Sequence, residues 1–258
     1  MYSNGDGTYF GGLAEGEPLY RFYGYKAIGI YQTDAEAANA PYDQLARGFD
    51  YRDGSTVAGR KFAGDYNWAD RNRDGIITKG QDLFCLGVTE APITGGISNS
   101  IRWKNFTFNL YMDYAIGHSI YDESLGRYFY ATFSCNYALS SYVKDCWKKP
   151  GDVTRYAKFW ANDSGAGQDN FNRMSNIFTY RGDYLCIREL SVQYSIPKSV
   201  CEKIHSKGIS VTLAGNNLYY LTAVKGISPE IGTASTYNES YKNYPPVRKI
   251  TLGVKVSF

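Results

Sequence analysis

The sequence predicts an all-β chain, and three observations carry that prediction. Apolar and polar residues alternate with period 2 in runs of about ten. The 258 residues include 25 Tyr and 27 Gly, a fifth of the chain, and large rings with polar tips suit strands at a boundary or binding surface. The connections between runs alternate between very short ones and ones of roughly sixty residues.

Six strands follow in order. The first covers about Tyr20 to Tyr31. In the second, Ile93, Ile97, Ile101 and Trp103 alternate with Thr94, Ser98, Ser100 and Arg102. The third places Phe106, Phe108, Leu110, Met112 and Tyr114 on one face and Thr107, Asn109, Tyr111 and Asp113 on the other, a partition that a helical period would scramble. Only Lys104-Asn105 separates these two runs, so they read as a tight hairpin. The fourth runs from about Tyr184 to Tyr194 and the fifth from Ile209 to Leu218. Between them, Pro197 to Ile204 reads as one or two helical turns starting near Ser195 or Pro197. The sixth alternates Ile250, Leu252, Val254, Val256 and Phe258 with Thr251, Gly253, Lys255 and Ser257.

The two-residue turn at 104–105 and the compact turn near 195–208 are interleaved with long connections at 32–92 and 115–183. Strands near ten residues, dyad alternation and unequal loops are the pattern of an outer-membrane β-barrel, with short turns on one rim and long loops on the other. The alternative is a soluble, secreted β-sandwich. No uncharged stretch reaches the length of a spanning helix, and Met1 to Thr8 shows neither the basic nor the apolar region of a signal peptide.

Charge and cysteine content exclude other classes. With 28 basic and 25 acidic residues the net charge is +3, and no Lys/Arg block exceeds two residues, so nucleic acid is not an expected partner. Cys85, Cys135, Cys146, Cys186 and Cys201 are odd in number and lack C-x-x-C spacing, against a zinc site or a complete disulfide framework. Cys135 and Cys146 either pair across a loop or remain thiols. His118 and His205 belong to no catalytic signature, no nucleophile elbow or phosphate loop is present, and Asp122-Glu123 reads as solvated surface. The chain is not expected to be an enzyme.

Two segments carry candidate sites. Asp70-Arg-Asn72-Arg-Asp74-Gly75-Ile76 follows the D-x-[DN]-x-[DN]-G opening of a calcium loop. Asp70, Asn72 and Asp74 offer short oxygen ligands, Ile76 a backbone carbonyl, and Gly75 the sharp turn. Gln81 occupies the twelfth position, so Asp82 would complete the set from one residue later; otherwise the segment is a loop of Asx-turns. The second candidate is a set of loop aromatics. Tyr128, Tyr130, Trp147 and Trp160, with Phe129 and Phe159 beside them, could stack on a sugar ring or peptide, or serve as the small hydrophobic clusters that long loops need.

Several segments together resemble the C-terminal part of the SusC/RagA family of TonB-dependent outer-membrane transporters. They are Gly16 to Tyr25 with Gly29-Ile-Tyr-Gln32, Gly64-Asp-Tyr-Asn-Trp68 running to Gly75, Leu86-Gly87 with Pro92 and Gly96, and Gly182 to Leu190 with Tyr194 and Ile196-Pro-Lys198. Asn216-Asn-Leu218 with Gly226 and Pro229-Glu230, and Tyr244-Pro-Pro-Val-Arg248, complete the series. Each is weak; their order across nearly the whole chain is specific. Thr251, Gly253, Val256 and Phe258 resemble the terminal signal read by the barrel assembly machinery.

The resemblance implies a barrel of about 22 strands plugged by an N-terminal domain, import of glycan or peptide oligomers through the TonB system, a SusD-like lipoprotein partner, contact with outer-membrane lipids, and loops that face outward. Gln81 with the displaced Asp82, and Cys186 and Glu189 in the fourth strand, depart from the family pattern. The expected fold class is therefore all-β: the C-terminal segment, about six antiparallel strands, of a large transmembrane β-barrel with long extracellular loops. Residues 1–258 read as a partial barrel without a plug domain, belonging in the cell outer membrane as part of a longer parent. The rival function is a secreted, calcium-stabilised β-sandwich that binds carbohydrate.

Overall fold

The computed structural model describes residues 2–3, 9–13, 15–46, 59–122, 125–126, 141–159, 169–230 and 246–258. In chain order the first elements are β1 (Tyr2–Ser3), β2 (Tyr9–Phe10), β3 (Arg21–Gly24), β4 (Ala27–Ile30), α1 (Asp34–Ala37), β5 (Tyr42–Asp43), β6 (Tyr66–Trp68), β7 (Ile76–Ile77) and β8 (Phe84–Val88). Then come β9 (Ile93–Trp103), β10 (Phe106–Ile116), β11 (Ser119–Tyr121), β12 (Thr179–Arg181), β13 (Tyr184–Ser195), α2 (Lys198–Lys203), β14 (Gly208–Thr222) and β15 (Lys249–Ser257). The chain divides into two compact units. One holds residues 1–90, 119–180 and 234–242; the other holds 91–118, 181–233 and 243–258.

The second unit is a five-stranded antiparallel sheet in the order β15-β14-β13-β10-β9. Its registers align the alternation of every strand. Ile101, Phe108, Val192, Leu213 and Leu252 lie opposite one another in one cross-strand row, and Leu110, Leu190, Gly215 and Ile250 in the next. On the other face, Arg102, Thr107, Gln193, Thr212 and Gly253 share a row, as do Ser100, Asn109, Ser191, Ala214 and Thr251. The apolar face is open: Ile101 is 57%, Leu213 52% and Leu252 71% exposed. A sandwich would cover that face with a second sheet.

Local chemistry fixes the ends of these strands. Lys104 turns the hairpin in the left-handed region at φ 53, and Trp103 pairs with Phe106 directly across it. Trp103, Phe106 and Tyr194 form an aromatic row there, with Phe106 and Tyr194 ring centroids 4.7 Å apart. Further along the same face Tyr114 lies over Gly95, where any Cβ would meet its hydroxyl at 2.5 Å. The helical turns expected after Pro197 are α2, with Pro197 as N-cap at φ −56.

One strand differs from expectation. The run from Tyr20 to Tyr31 is broken into β3 and β4, paired with β8 and β6. The break falls at Tyr25, whose amide donates to the Met174 carbonyl and whose carbonyl accepts from the Asn176 amide, so its backbone is engaged outside either ladder.

The first unit gathers the described parts of the long connections around a core of their own. Tyr25, Tyr66, Trp68, Ile77, Phe171 and Phe178 are among its buried members. Tyr66 meets Trp68 and Phe171 edge-on at 5.3 and 5.9 Å. The described parts of these connections are short strands and turns packed on one another, unlike a structureless sixty-residue loop.

Polar groups hold this core together. Asp65 accepts from the Phe62 amide at 2.8 Å and from Asn170 at 2.9 Å, and Asn170 accepts in turn from the Tyr66 amide. Asp43 is wholly buried between Lys61 at 2.7 Å and Arg173 at 2.9 Å. The Arg173 guanidinium also lies over the Trp68 ring at 4.6 Å and the Tyr25 ring at 5.2 Å. Burial would by itself raise the Asp43 carboxyl, but the two cations outweigh it and hold the group below the usual carboxylate range.

Candidate functional site

The polar face of the sheet carries the densest chemistry of the second unit. Ser100 donates to Asn109 at 2.8 Å and Asn109 donates to Ser191 at 3.2 Å, so three adjacent strands are tied side chain to side chain. Toward the far end, β13 bulges. Its register skips Arg188 against both neighbours: Ile187 and Glu189 pair with the consecutive Met112 and Tyr111 on β10, and with Tyr219 and Asn216 on β14, where Asn217 and Leu218 are skipped too. A bulge re-aims a side chain, and Arg188 becomes a hub.

Arg188 forms a bidentate pair with Asp113, both bonds 2.7 Å. Its Nη1 reaches Asn217 at 3.0 Å and the Tyr220 hydroxyl at 3.3 Å, and Nη2, shared with Asp113, also meets Glu230. Tyr184 adds a weak bond to Asp113 at 3.4 Å. Bidentate guanidinium–carboxylate geometry fixes direction as well as energy. No sequence pattern marks this hub, because the bulge that creates it breaks the alternation on which strands are read.

The Asp70 loop is compact. Asp70 accepts from the amides of Arg73 at 2.6 Å and Gly75 at 2.7 Å, Asp74 from the Ile76 amide at 2.8 Å, and Asn72 from the Asp74 amide at 3.3 Å. Gly75 takes φ +81. Asp82, buried, closes the loop from outside, accepting from Arg71 at 2.9 Å and Thr78 at 2.7 Å. Among the described residues no group of three or more His, Cys, Asp or Glu converges as for a metal ion. The oxygen-rich donor set of Asp70, Asn72, Asp74 and the Ile76 carbonyl suits a hard cation in kind. Its side-chain oxygens are at present satisfied by the loop's own amides.

The loop aromatics are distributed differently. Trp147 is buried, donates its indole N–H to Gln32 at 3.2 Å, and packs against Gly64, so it offers no open ring to a ligand. Phe159 packs against the core of the first unit. Tyr128, Tyr130 and Trp160, with Phe129, lie outside the described residues. Cys146 is a free thiol, buried, and burial pushes it up to about 12; Cys135 also lies outside the described residues. The first unit has a surface cleft of about 390 Å³ lined by Ile28, Gly29, Tyr66, Val153, Arg155 and Ile177, which no motif foretold.

A five-stranded antiparallel sheet with one continuous exposed apolar face and one hydrogen-bonded polar face defines a barrel-wall class of protein. Comparison with known proteins agrees. The chain is 26% identical to TonB-dependent receptor P39 of Formosa agariphila over 98% of its length, and 25% identical to TonB-dependent receptor P3 of the same organism over 95%. It spans 26% and 23% of those relatives. Two solved structures, the RagAB peptide importer in the 'open-open' state and the RagAB peptide transporter, align over 92% of the chain with TM-scores of 0.57 and 0.58 at 18 and 19% identity. The chain covers 22 and 23% of those chains. No family model matches the chain. The resemblance to SusC/RagA-type TonB-dependent receptors stands, the fold is that of the RagAB barrel transporters, and neither the comparisons nor the open apolar face support a β-sandwich module.

Proposed function

We propose that the chain builds part of the wall of a TonB-dependent outer-membrane importer, with its apolar face toward lipid and its polar face toward the lumen. The carrying observation is the apolar face itself. β10 has 11 residues, about 33 Å along the strand; a tilt of about 40° converts that to about 25 Å along the membrane normal, the height of an outer-membrane apolar band. The aromatic row of Trp103, Phe106 and Tyr194 suits one interface. The mechanism is gated passage, with no bond made or broken.

In this reading residues 1–258 are a partial barrel, and a longer parent supplies the remaining strands, the plug and the TonB contact. Thr251, Gly253, Val256 and Phe258 present the barrel assembly signal. The cargo is a peptide or glycan oligomer captured with a SusD-like lipoprotein; the peptide importers among the structural neighbours favour peptide. A structural calcium at Asp70, Asn72, Asp74 and Ile76, with Asp82 closing the loop, belongs to the same reading.

The test is fractionation and growth. The parent protein should co-sediment with outer membrane and run as a heat-modifiable band, and its deletion should abolish growth on an oligomeric peptide or glycan while sparing growth on the monomer. Recovery in the soluble fraction, or growth unchanged on every oligomer tried, defeats the proposal.

A further inference from the structure

The connection that leaves β14 turns back over the sheet. Along 223–230, Val224, Ser228 and Pro229 are buried, although each lies outside any strand. Two bonds hold this segment down. Glu230 meets the Arg188 guanidinium, and the Pro229 carbonyl lies 3.0 Å from His118 Nε2. Inside the segment, Ser228 accepts from the Glu230 amide at 3.3 Å, which sets the acid's direction.

Both anchors are themselves fixed. Arg188 is held by Asp113 and Asn217. His118 is clamped by Gly182, whose amide donates to the His118 carbonyl at 2.9 Å and whose missing side chain leaves room for the imidazole. Asp183 next to it accepts from the Gly117 amide at 2.6 Å. Arg188 is fixed within β13 and His118 in the turn after β10, while the segment reaches them through the Glu230 ion pair and the Pro229 carbonyl.

We propose that residues 223–230 are a strap latched onto the polar face of the wall by Arg188 and His118, and that breaking the Glu230 contact frees the strap and uncovers the Arg188–Asp113 pair. The latch is electrostatic and only partly shielded, since the Arg188 and Glu230 side chains are 29% and 28% exposed, so it is open to screening by salt. Asp113 keeps Arg188 paired after release, so opening leaves no stranded charge in the wall.

The strap rests on the barrel reading for its setting, and the two can fail separately. In the full-length protein in intact cells, with Cys85 and Cys135 replaced by Ser, Val224→Cys, at a buried strap position outside the latch contacts, serves as a reporter for a membrane-impermeant maleimide. Labelling should be slow, should accelerate at least about tenfold when Glu230→Gln is added, and should rise severalfold in the Glu230 protein between low and 0.5 M salt. Loss of the outer-membrane band would speak against the barrel reading. An intact band with a labelling rate indifferent to Glu230→Gln overturns the latch; if that variant does not assemble, a rate indifferent to salt overturns it.

Discussion

Asp43 and Arg173 stand 130 positions apart in sequence and 2.9 Å apart in the fold. Their contact joins two of the long connections, and Lys61 completes it. The first unit therefore depends on a cluster in which Asp43 lies buried between Lys61 and Arg173 while Asp169 also meets Arg173 at 3.2 Å, and each buried charge is tolerable because the others are present.

Removing the acid should be severe. Asp43→Asn takes from Lys61 and Arg173 the carboxylate they share, leaving Arg173 with Asp169, and should destabilise the unit by about 3 kcal/mol. The check is the urea midpoint at which the first unit of the full-length protein loses protease protection.

The same cluster sets an acid limit. Because the folded Asp43 carboxyl lies below its ordinary value, its contribution is fully present above the unfolded value of about 3.9. It is lost as pH falls through the lower, folded value. Melting followed from pH 6 down to 3 should fall below about pH 4, and Asp43→Asn should flatten that fall; identical profiles would contradict it.

Gly64 should tolerate no side chain. It has φ +96, and a Cβ there would lie 2.6 Å from Trp147 and 2.7 Å from Lys158. Gly64→Ala combines a left-handed cost of about 1–2 kcal/mol with overpacking of about 1–3 kcal/mol. A melting temperature within a degree of the parent would refute this.

The two faces of the wall should respond oppositely to charge. Leu190→Arg, in the apolar row with Leu110 and Ile250, should cost about 2–4 kcal/mol if that row lies near the bilayer midplane. Glu189→Arg, one residue away on the polar face, should cost far less. Folded fractions in lipid, read by heat-modifiability, distinguish the two; equal losses would remove the assignment of faces.

Calcium at the Asp70 loop predicts a chelator-sensitive melt. Excess chelator should lower the melting temperature of the full-length protein, and Asp74→Ala should abolish the difference. No shift on chelation leaves the loop as a set of Asx-turns.

The wall was legible because alternation is local: Phe106, Phe108 and Leu110 declare their face without knowledge of any partner. The Arg188 hub was not, because an inserted residue disrupts the signal by which a strand is recognised. The broken run at Tyr25 and the burial of Trp147 were also hidden. Each is decided by residues more than a hundred positions away, Met174 and Asn176 for Tyr25 and Gln32 for Trp147, and local pattern holds no record of them. The glycine and aromatic motif Gly64-Asp-Tyr-Asn-Trp68 stood out in sequence as a family resemblance; in the fold it is core chemistry.

The register between β14 and β15 has a further consequence. Leu213 faces Leu252 and Val211 faces Val254, and moving β15 by a single residue would turn its whole apolar set onto the polar face. In a closed cylinder the stagger accumulated around the circuit must be a whole number. A slip of β15 against β14 must be matched by an opposite slip against its other neighbour, so a single error breaks two ladders at once. The pairing of these few side chains thus acts as a tooth in a closed gear, and alignment errors in this segment are all-or-none.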